Sequence, residues 1–149
     1  MKIYYDKLQQ QLTNALSPVY LVSGDVPLLV QEACDTVRAA AREQGFTERD
    51  KYSVNPQFNW SNLTAESNHL SLFGDKRIIE LHLTSGKPGD KGSKAIAHYC
   101  DNLPQDTILL IFSDKLATNS QASRWYKAID KSGVIVTIWP LTVKQLPYW

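Results

Sequence analysis

Hydrophobic positions along the chain follow two spacings. Apolar residues three and four positions apart predict helices, because this spacing places them on one helical face. Five segments have it, over residues 5–16, 27–45, 59–70, 96–103 and 122–129. Short apolar or β-branched runs closed by Gly, Pro or polar residues predict strands. Five such runs cover residues 19–24, 51–54, 77–83, 107–112 and 134–139. The alternation of helices and strands predicts a three-layer α/β fold around a mainly parallel, five-stranded sheet.

Individual residues and the composition of single segments add detail to this prediction. Pro27 near the start and Gly45 near the end of the second helical segment are typical of helix termini. The run 107–112, "TILLIF", is apolar on both faces, so we expect it at the centre of the sheet. Residues 84–93, "TSGKPGDKGS", are rich in Gly, Ser and Lys and predict a mobile surface loop.

Composition excludes several classes of protein. The 149 residues are 43% hydrophobic and 21% charged, values typical of a globular domain. A formal net charge of +1 gives no bulk electrostatic reason to bind nucleic acid or a membrane. No apolar stretch approaches the length of a leader or membrane-spanning segment, so we expect a cytoplasmic protein. Cys34 and Cys100 lie in apolar helical patterns and predict buried free thiols, and no His/Cys cluster has metal-site spacing.

The turn after the first predicted strand is where a nucleotide would bind in such a sheet. It is "SGDVPLL", with Gly24 as its only glycine, no lysine, and Asp25 where a phosphate would be repelled. We expect an ordinary strand-to-helix turn. Magnesium ligands are also missing, because Glu80 lies inside a strand and Asp114 stands alone beyond another. Neither a nucleotide nor a metal cofactor is expected.

A basic cluster and an apolar pair remain as candidate binding elements. Lys87, Lys91 and Lys94 form a small cluster on a loop, and a solvated surface explains it better than a nucleic-acid patch. Leu72 and Phe73 end a polar segment just before a Gly-Asp turn. They either pack into the core near a helix end or form an exposed anchor for the pocket of a partner protein.

The order of motifs resembles the N-terminal domain of the delta subunit of bacterial DNA polymerase III. "GDVPLLVQEACDTVR" follows the first predicted strand, "LSLFGDKRIIEL" precedes a later one, and "LPYW" ends the chain. The resemblance covers nearly the whole chain. It implies an AAA+-like domain that lacks a functional P-loop, in a non-catalytic subunit of the replicative polymerase holoenzyme.

For this family the Leu-Phe pair implies binding to the beta sliding clamp and help in opening the ring. The implied clamp-binding residues are Leu70, Ser71, Leu72, Phe73 and Gly74. The helix from Trp60 to Leu70 would press against the clamp. Further implied partners are the delta-prime and gamma/tau subunits, through domains absent here, and DNA only through the complex. Residues 1–140 would form the clamp-binding domain, and residues 141–149 would begin a connection to a second domain.

Two other functions stay open on the residues alone. One is a divergent P-loop NTPase that uses the turn around Gly24 and Asp25. The other is a small DNA-binding module that uses Lys87, Lys91 and Lys94.

Overall fold

A computed structural model describes most of the chain. The described residues are 2–14, 16–24, 26–54, 60, 76–83, 89–101, 103, 107–114 and 123–138. They form six strands: β1 (Lys2–Tyr4), β2 (Val19–Gly24), β3 (Phe46–Val54), β4 (Lys76–Leu83), β5 (Thr107–Asp114) and β6 (Val134–Ile138). They also form four α-helices: α1 (Leu8–Asn14), α2 (Pro27–Glu43), α3 (Gly89–Asp101) and α4 (Arg124–Ser132). A 3₁₀ turn, Tyr5–Lys7, leads into α1.

The six strands form a single sheet in the order β1-β6-β2-β5-β4-β3, and every neighbouring pair is parallel. The predicted mainly parallel α/β fold is therefore confirmed, with six strands rather than five. The additional strand is β1, which the sequence pattern missed. It has only three residues, and it adds to the edge of the sheet beside β6.

Helices cover both faces of the sheet, as the alternation of strands and helices predicts. Side chains of α1 and α2 pack on one face, in a cluster with Tyr20, Val22 and Leu110. Side chains of α3 and α4 pack on the other, in a cluster with Leu21, Leu109 and Ile111. Because neighbouring strand residues point to opposite faces, a strand buried on both sides is continuously apolar. This explains the fully apolar run of β5, which lies between β2 and β4 as predicted.

Two elements differ most from their predicted bounds. The strand predicted over 51–54 extends over Phe46–Val54. It is the edge strand beside β4, and its exposed charged residues interrupt the apolar run that would have predicted a strand. The loop predicted over 84–93 is wrong over its second half, because α3 begins at Gly89. Burial of Ile96, Tyr99 and Cys100 against the sheet outweighs the low helix propensity of its glycines.

The helix ends agree with the sequence. Pro27 is the first residue of α2, where its missing N–H costs no hydrogen bond. Gly45 follows the helix with φ of 95°, a conformation that glycine adopts without the strain of a side chain.

Some predictions fall outside the described residues. These are the helix over 59–70, apart from Trp60, the loop over 84–88, and the connection over 141–149. Trp60 itself packs against the cluster formed with α3 and α4. Among the described helices, none is long and apolar enough to cross a membrane.

Candidate functional site

The predicted anchor segment lies outside the described residues. This applies to Leu70, Ser71, Leu72, Phe73 and Gly74 alike, so both interpretations of the apolar pair remain predictions. The structure does describe the chain from Lys76, the first residue of β4. The contacts of β4 therefore show how the attachment point of the segment is held.

Lys76 ties the amino end of β4 to the carboxyl end of α2. Its Nζ donates a hydrogen bond to the backbone carbonyl oxygen of Gln44 at 3.0 Å. The same ammonium lies 5.3 Å from the ring centroid of Phe46, within the range of a cation–π interaction. Lys76 also pairs with Phe46 in the register of β3 and β4. The first residue of β4 is thus held by a helix end and by the neighbouring strand.

A buried charge cluster holds the middle of β4. The Glu80 side chain is fully buried, and Arg38 of α2 donates to its Oε1 from Nε at 3.0 Å and from Nη2 at 2.5 Å. Arg49 of β3 also donates to the Glu80 carboxylate. Arg38 also forms an ion pair with Asp35, an exposed residue one helical turn away, with 2.6 Å between Nη1 and Oδ1. Near the start of β4, Arg77 pairs with Asp50 of β3 at 3.2 Å.

The electrostatics of Glu80 follow from this arrangement. Burial alone raises the pKa of a carboxyl group, because it disfavours the charged form. Hydrogen bonds from Arg38 and Arg49, and their positive charges, outweigh burial and lower the pKa of Glu80 below its usual value. Glu80 is therefore an ionised carboxylate with both oxygens occupied by guanidinium groups. Together with Arg38 and Arg49 it forms a structural charge cluster that links a helix and two strands, and it has no free oxygen for a metal ion.

These partners of Glu80 were not predicted from the sequence, although two features pointed to them. An acidic residue in the apolar run of β4 needs a buried cation to be stable. Arg38 lies four residues after Cys34 and three before Ala41, which are both on the buried face of α2. An arginine on that face is the expected partner.

The turn between β2 and α2 is very short. Strand β2 ends at Gly24 and helix α2 begins at Pro27, so only two residues connect them. Pro27 lacks an N–H, and the N-cap residue Val26 makes no side-chain cap hydrogen bond. Gly24 lies so close to β6 that a Cβ there would be 2.5 Å from the Ile138 Cβ. The glycine thus allows close packing of two strands, which is a structural role.

Two of the three lysines of the predicted basic cluster lie on a helix. Lys91 and Lys94 belong to α3 rather than to a loop, and both are exposed. Lys87 lies outside the described residues. Helix α4, which packs against α3, exposes Arg124, Lys127 and Lys131.

The cysteines are buried free thiols, as predicted. Burial raises the pKa of Cys34 to about 12 and that of Cys100 to about 11, so both stay protonated near neutral pH. A thiol needs its thiolate form to act as a nucleophile or metal ligand. Across the described residues, no three His, Cys, Asp or Glu side chains form a group that could hold a metal ion. The prediction that Asp114 lies beyond the strand is wrong, because Asp114 is the last residue of β5 and pairs in register with Gly24.

Comparison with known proteins identifies relatives of the whole chain. A family model described as "DNA polymerase III, delta subunit" matches residues 20–138. The chain is 30% identical over 149 residues to DNA polymerase III subunit delta of Escherichia coli (strain K12), covering 100% of this chain and 43% of that protein. It is 28% identical over 151 residues to the same subunit of Haemophilus influenzae, covering 99% of this chain and 44% of that protein.

Solved structures show the same fold. The DNA clamp loader delta protein of Bacillus subtilis matches with a TM-score of 0.72 at 18% identity, over 95% of this chain and 44% of that one. A DNA polymerase III gamma subunit-related protein from Thermotoga maritima matches with a TM-score of 0.54 at 10% identity, over 95% and 47%. The fold is thus the AAA+-like arrangement that the resemblance implied.

The chain spans less than half the length of each of these relatives. The family match, however, covers most of this chain, from the second residue of β2 to the last residue of β6. It includes the Ser-Leu-Phe segment and the strand that follows it. The chain belongs to the family of DNA polymerase III delta subunits.

Proposed function

We propose that this chain is a clamp-binding domain that inserts Leu72 and Phe73 into an apolar pocket of the beta sliding clamp. Leu70, Ser71 and Gly74 complete the binding segment. The observation that carries the proposal is membership of the delta family over a match that includes this segment. The domain helps to open the ring during loading onto primed DNA, and it carries no catalytic site of its own.

The position of β4 supports the proposal. All six strands are parallel, so Lys76 starts β4 at the amino edge of the sheet, whereas the β2–α2 turn lies at the carboxyl edge. Three peptide units separate Phe73 from Lys76, and covalent geometry limits their Cα atoms to about 11 Å apart. The proposed contact is therefore tethered to the edge of the sheet opposite the usual nucleotide site of such folds.

The energetics of two large apolar side chains suit an interface anchor. Burying one leucine and one phenylalanine is worth roughly 3–6 kcal/mol by area, before the costs of association. Truncating such hot-spot residues commonly costs about 2–4 kcal/mol of binding free energy. This contribution supplies affinity. Opening the ring needs in addition a contact that favours the open state, which we assign to the helix predicted from Trp60 to Leu70.

The domain does not bind ATP. A phosphate-binding loop needs several backbone N–H groups and a lysine that converge on the phosphates. The turn between Gly24 and Pro27 has two residues, and proline contributes no N–H. The close approach of Gly24 to Ile138 gives this glycine a role in packing β2 against β6, which supports the proposal.

Other partners are assigned to parts of delta subunits that this chain does not cover. We expect delta-prime and the gamma/tau subunits to bind there, because the chain spans 43% of the Escherichia coli relative. ATP binding and hydrolysis would then take place in those partners. This domain would respond to them by exposing or withdrawing the Leu-Phe segment.

The test is clamp binding by the 149-residue chain, measured by surface plasmon resonance on immobilised beta clamp. Leu72→Ala with Phe73→Ala is expected to weaken binding about 30- to 1000-fold and to leave the urea midpoint unchanged. The matched control is Leu28→Ala with Leu103→Ala, two exposed leucines with side chains of similar size elsewhere on the surface. That control should bind like the unmodified chain.

Two outcomes would contradict the proposal. If the Leu72/Phe73 variant unfolds in much less urea, the pair belongs to the core and the alternative interpretation is correct. If it folds normally and binds the clamp with unchanged affinity, the contact lies elsewhere on the domain.

A further inference from the structure

Trp60 is the one residue that the structure describes between β3 and β4. Its side chain is partly buried and packs against the apolar cluster that α3 and α4 form with the sheet. The other partly buried side chains described around this cluster are Tyr52, Ala95 and Ala128. Trp60 is the largest of the four, and large aromatic side chains contribute most when they pack against a core. It is therefore firmly attached to the face of the sheet that carries α3 and α4.

The topology of the sheet explains why Trp60 lies on this face. The connections from β4 to β5 and from β5 to β6 contain α3 and α4, and both step in the same direction across the sheet. Because crossovers between parallel strands are right-handed, connections that step in one direction pass over one face. The connection from β3 to β4 steps in that direction too. The rule thus predicts Trp60 on the face where it is found.

A segment of 15 residues, 61–75, joins Trp60 to Lys76 and contains Leu72 and Phe73. At its carboxyl end, Lys76 is held by the last carbonyl groups of α2 and by a ring of β3. At its amino end, the packed indole ring of Trp60 holds the chain. The proposed clamp contact is therefore bounded on both sides by residues that are attached to the fold.

The length of the segment alone would give Trp60 only a small effect. If its ring were removed, the chain between attached points would grow from 15 to 21 residues, 55–75. Loop-closure entropy changes with the 3/2 power of length, which is about 1.7-fold in an equilibrium constant. The direction of the chain matters more, because a packed indole ring fixes the point and the angle at which the chain leaves the fold. Order that exists before binding does not have to be acquired during binding.

From these observations we propose that Trp60 is a positioning residue for clamp binding. The inference rests on the proposed function, because it concerns the same contact of Leu72 and Phe73. Packed on the α3/α4 face, the indole ring raises the fraction of molecules in which the two side chains can enter their pocket. In this role the ring contacts the fold rather than the clamp. The apparent dissociation constant is the intrinsic constant divided by that competent fraction.

Binding kinetics distinguish a positioning residue from a contact residue. A lower competent fraction slows association and leaves dissociation of the formed complex unchanged, whereas lost contacts mainly speed dissociation. In surface plasmon resonance of the 149-residue chain on immobilised beta clamp, Trp60→Ala should lower the association rate constant about 5- to 20-fold. Its dissociation rate constant should change by less than about twofold. Leu72→Ala with Phe73→Ala should instead act mainly on dissociation.

A conservative variant and a matched control accompany this measurement. Trp60→Phe keeps an aromatic ring that can pack, so it should recover most of the association rate. Tyr4→Ala removes a 53% exposed aromatic ring from β1, at the opposite edge of the sheet from β3, and should bind the clamp normally. Urea unfolding shows whether Trp60→Ala is folded. If it is not, Trp60→Phe and Trp60→Leu replace it, and the leucine variant should associate more slowly than the phenylalanine variant.

Three results would overturn the proposal. The first is an unchanged association rate for folded Trp60→Ala. The second is a rise in its dissociation rate that accounts for the loss of affinity, because Trp60 would then belong to the contact surface. The third is an equal loss of association in Tyr4→Ala, which would reduce the effect to a general response to the loss of an aromatic ring.

Hydrogen exchange in the absence of clamp separates this inference from the proposed function. In Trp60→Ala, amides of residues 61–75 should exchange faster than in the unmodified chain, while those of β4 keep their rates. Faster exchange together with normal clamp binding by Leu72→Ala with Phe73→Ala would reject the clamp contact but support Trp60 as the attachment of the segment. Unchanged exchange would overturn the attachment, even if the clamp contact is correct.

Discussion

Replacing Glu80 by glutamine tests how the buried charge cluster contributes to stability. Glu80→Gln keeps the shape of the side chain and one hydrogen-bond acceptor, but it removes the negative charge. Arg38 would then keep its positive charge with its side chain only 10% exposed, beside a neutral amide. We expect the variant to fold and to be clearly less stable than the unmodified chain.

The magnitude follows from the surroundings of the two arginines. Removing one partner of a buried ion pair typically costs about 3–5 kcal/mol, because the other charge stays buried without compensation. Here the cost should be smaller, since Arg38 retains Asp35 and the 45% exposed Arg49 side chain can turn towards water. We expect about 2–4 kcal/mol, out of the 5–15 kcal/mol that usually stabilises a domain. The melting temperature should fall by roughly 5–15 °C.

The contribution of Glu80 to the stability of the fold depends on pH. The pKa of Glu80 is lower in the folded chain than its ordinary value of 4.5, so ionised Glu80 stabilises the fold above that value. This stabilisation is lost as the pH falls through the folded pKa, since the carboxyl group is then protonated in both states. The gap in unfolding free energy between the unmodified chain and Glu80→Gln should be constant from about pH 7 to 5 and shrink below about 4.5.

Urea unfolding followed by far-UV circular dichroism, at several pH values, measures this gap. Glu48→Gln is the matched control, because Glu48 is an exposed glutamate on the neighbouring strand, and it should change stability by no more than about 0.5 kcal/mol. Arg38→Met with Glu80→Met should recover most of the lost stability, since it removes both buried charges. A gap below about 1 kcal/mol, or one of equal size at pH 7 and pH 3, would refute the reasoning.

Two other predictions concern the attachment of the Leu-Phe segment and the β2–α2 turn. Lys76→Met removes the ammonium that contacts the Gln44 carbonyl and the Phe46 ring, so it should cost about 1 kcal/mol of stability. It should also weaken clamp binding about 3- to 10-fold by loosening the attachment, and unchanged affinity in plasmon resonance would remove Lys76 from the proposal. Equilibrium dialysis with labelled ATP and Mg²⁺ should show no retention, whereas binding that is sensitive to a change of Gly24 or Asp25 would revive the NTPase hypothesis.

The fold was largely predictable because parallel strands buried on both faces are continuously apolar. The runs that became β2, β5 and β6 were predicted to within one or two residues for this reason. The edge strands were harder to predict. β1 has three residues, and most of β3 is polar and exposed, so neither has an apolar run that marks it. Gly89 to Ser93 were predicted as a loop from local propensity, which packing of the remainder of α3 overrides.

The partners of Glu80 were not predicted for a different reason. Its partners Arg38 and Arg49 lie 42 and 31 positions away, and only the pairing of β3 with β4 and the packing of α2 bring them together. Lys91 and Lys94 were assigned correctly as exposed cations but on the wrong kind of element. Their alignment with α4 required the packing of two helices that are separate in sequence. Spacing along one element is visible in a sequence, whereas contacts between elements are not.

The rigidity of β4 bears directly on the proposed mechanism. A ligand opens a ring only if it binds the open state more tightly than the closed one. If the Leu-Phe segment were attached flexibly, it could stay bound to its pocket in both the open and the closed ring. It would then bind both states equally and would not favour opening. Strand β4 is attached to α2 at Lys76 and again at Glu80, and to β3 along its whole length. We infer that these attachments hold the proposed contact in a fixed position relative to the sheet. Leu72 and Phe73 then supply affinity, and the helix predicted from Trp60 to Leu70 supplies the preference for the open ring.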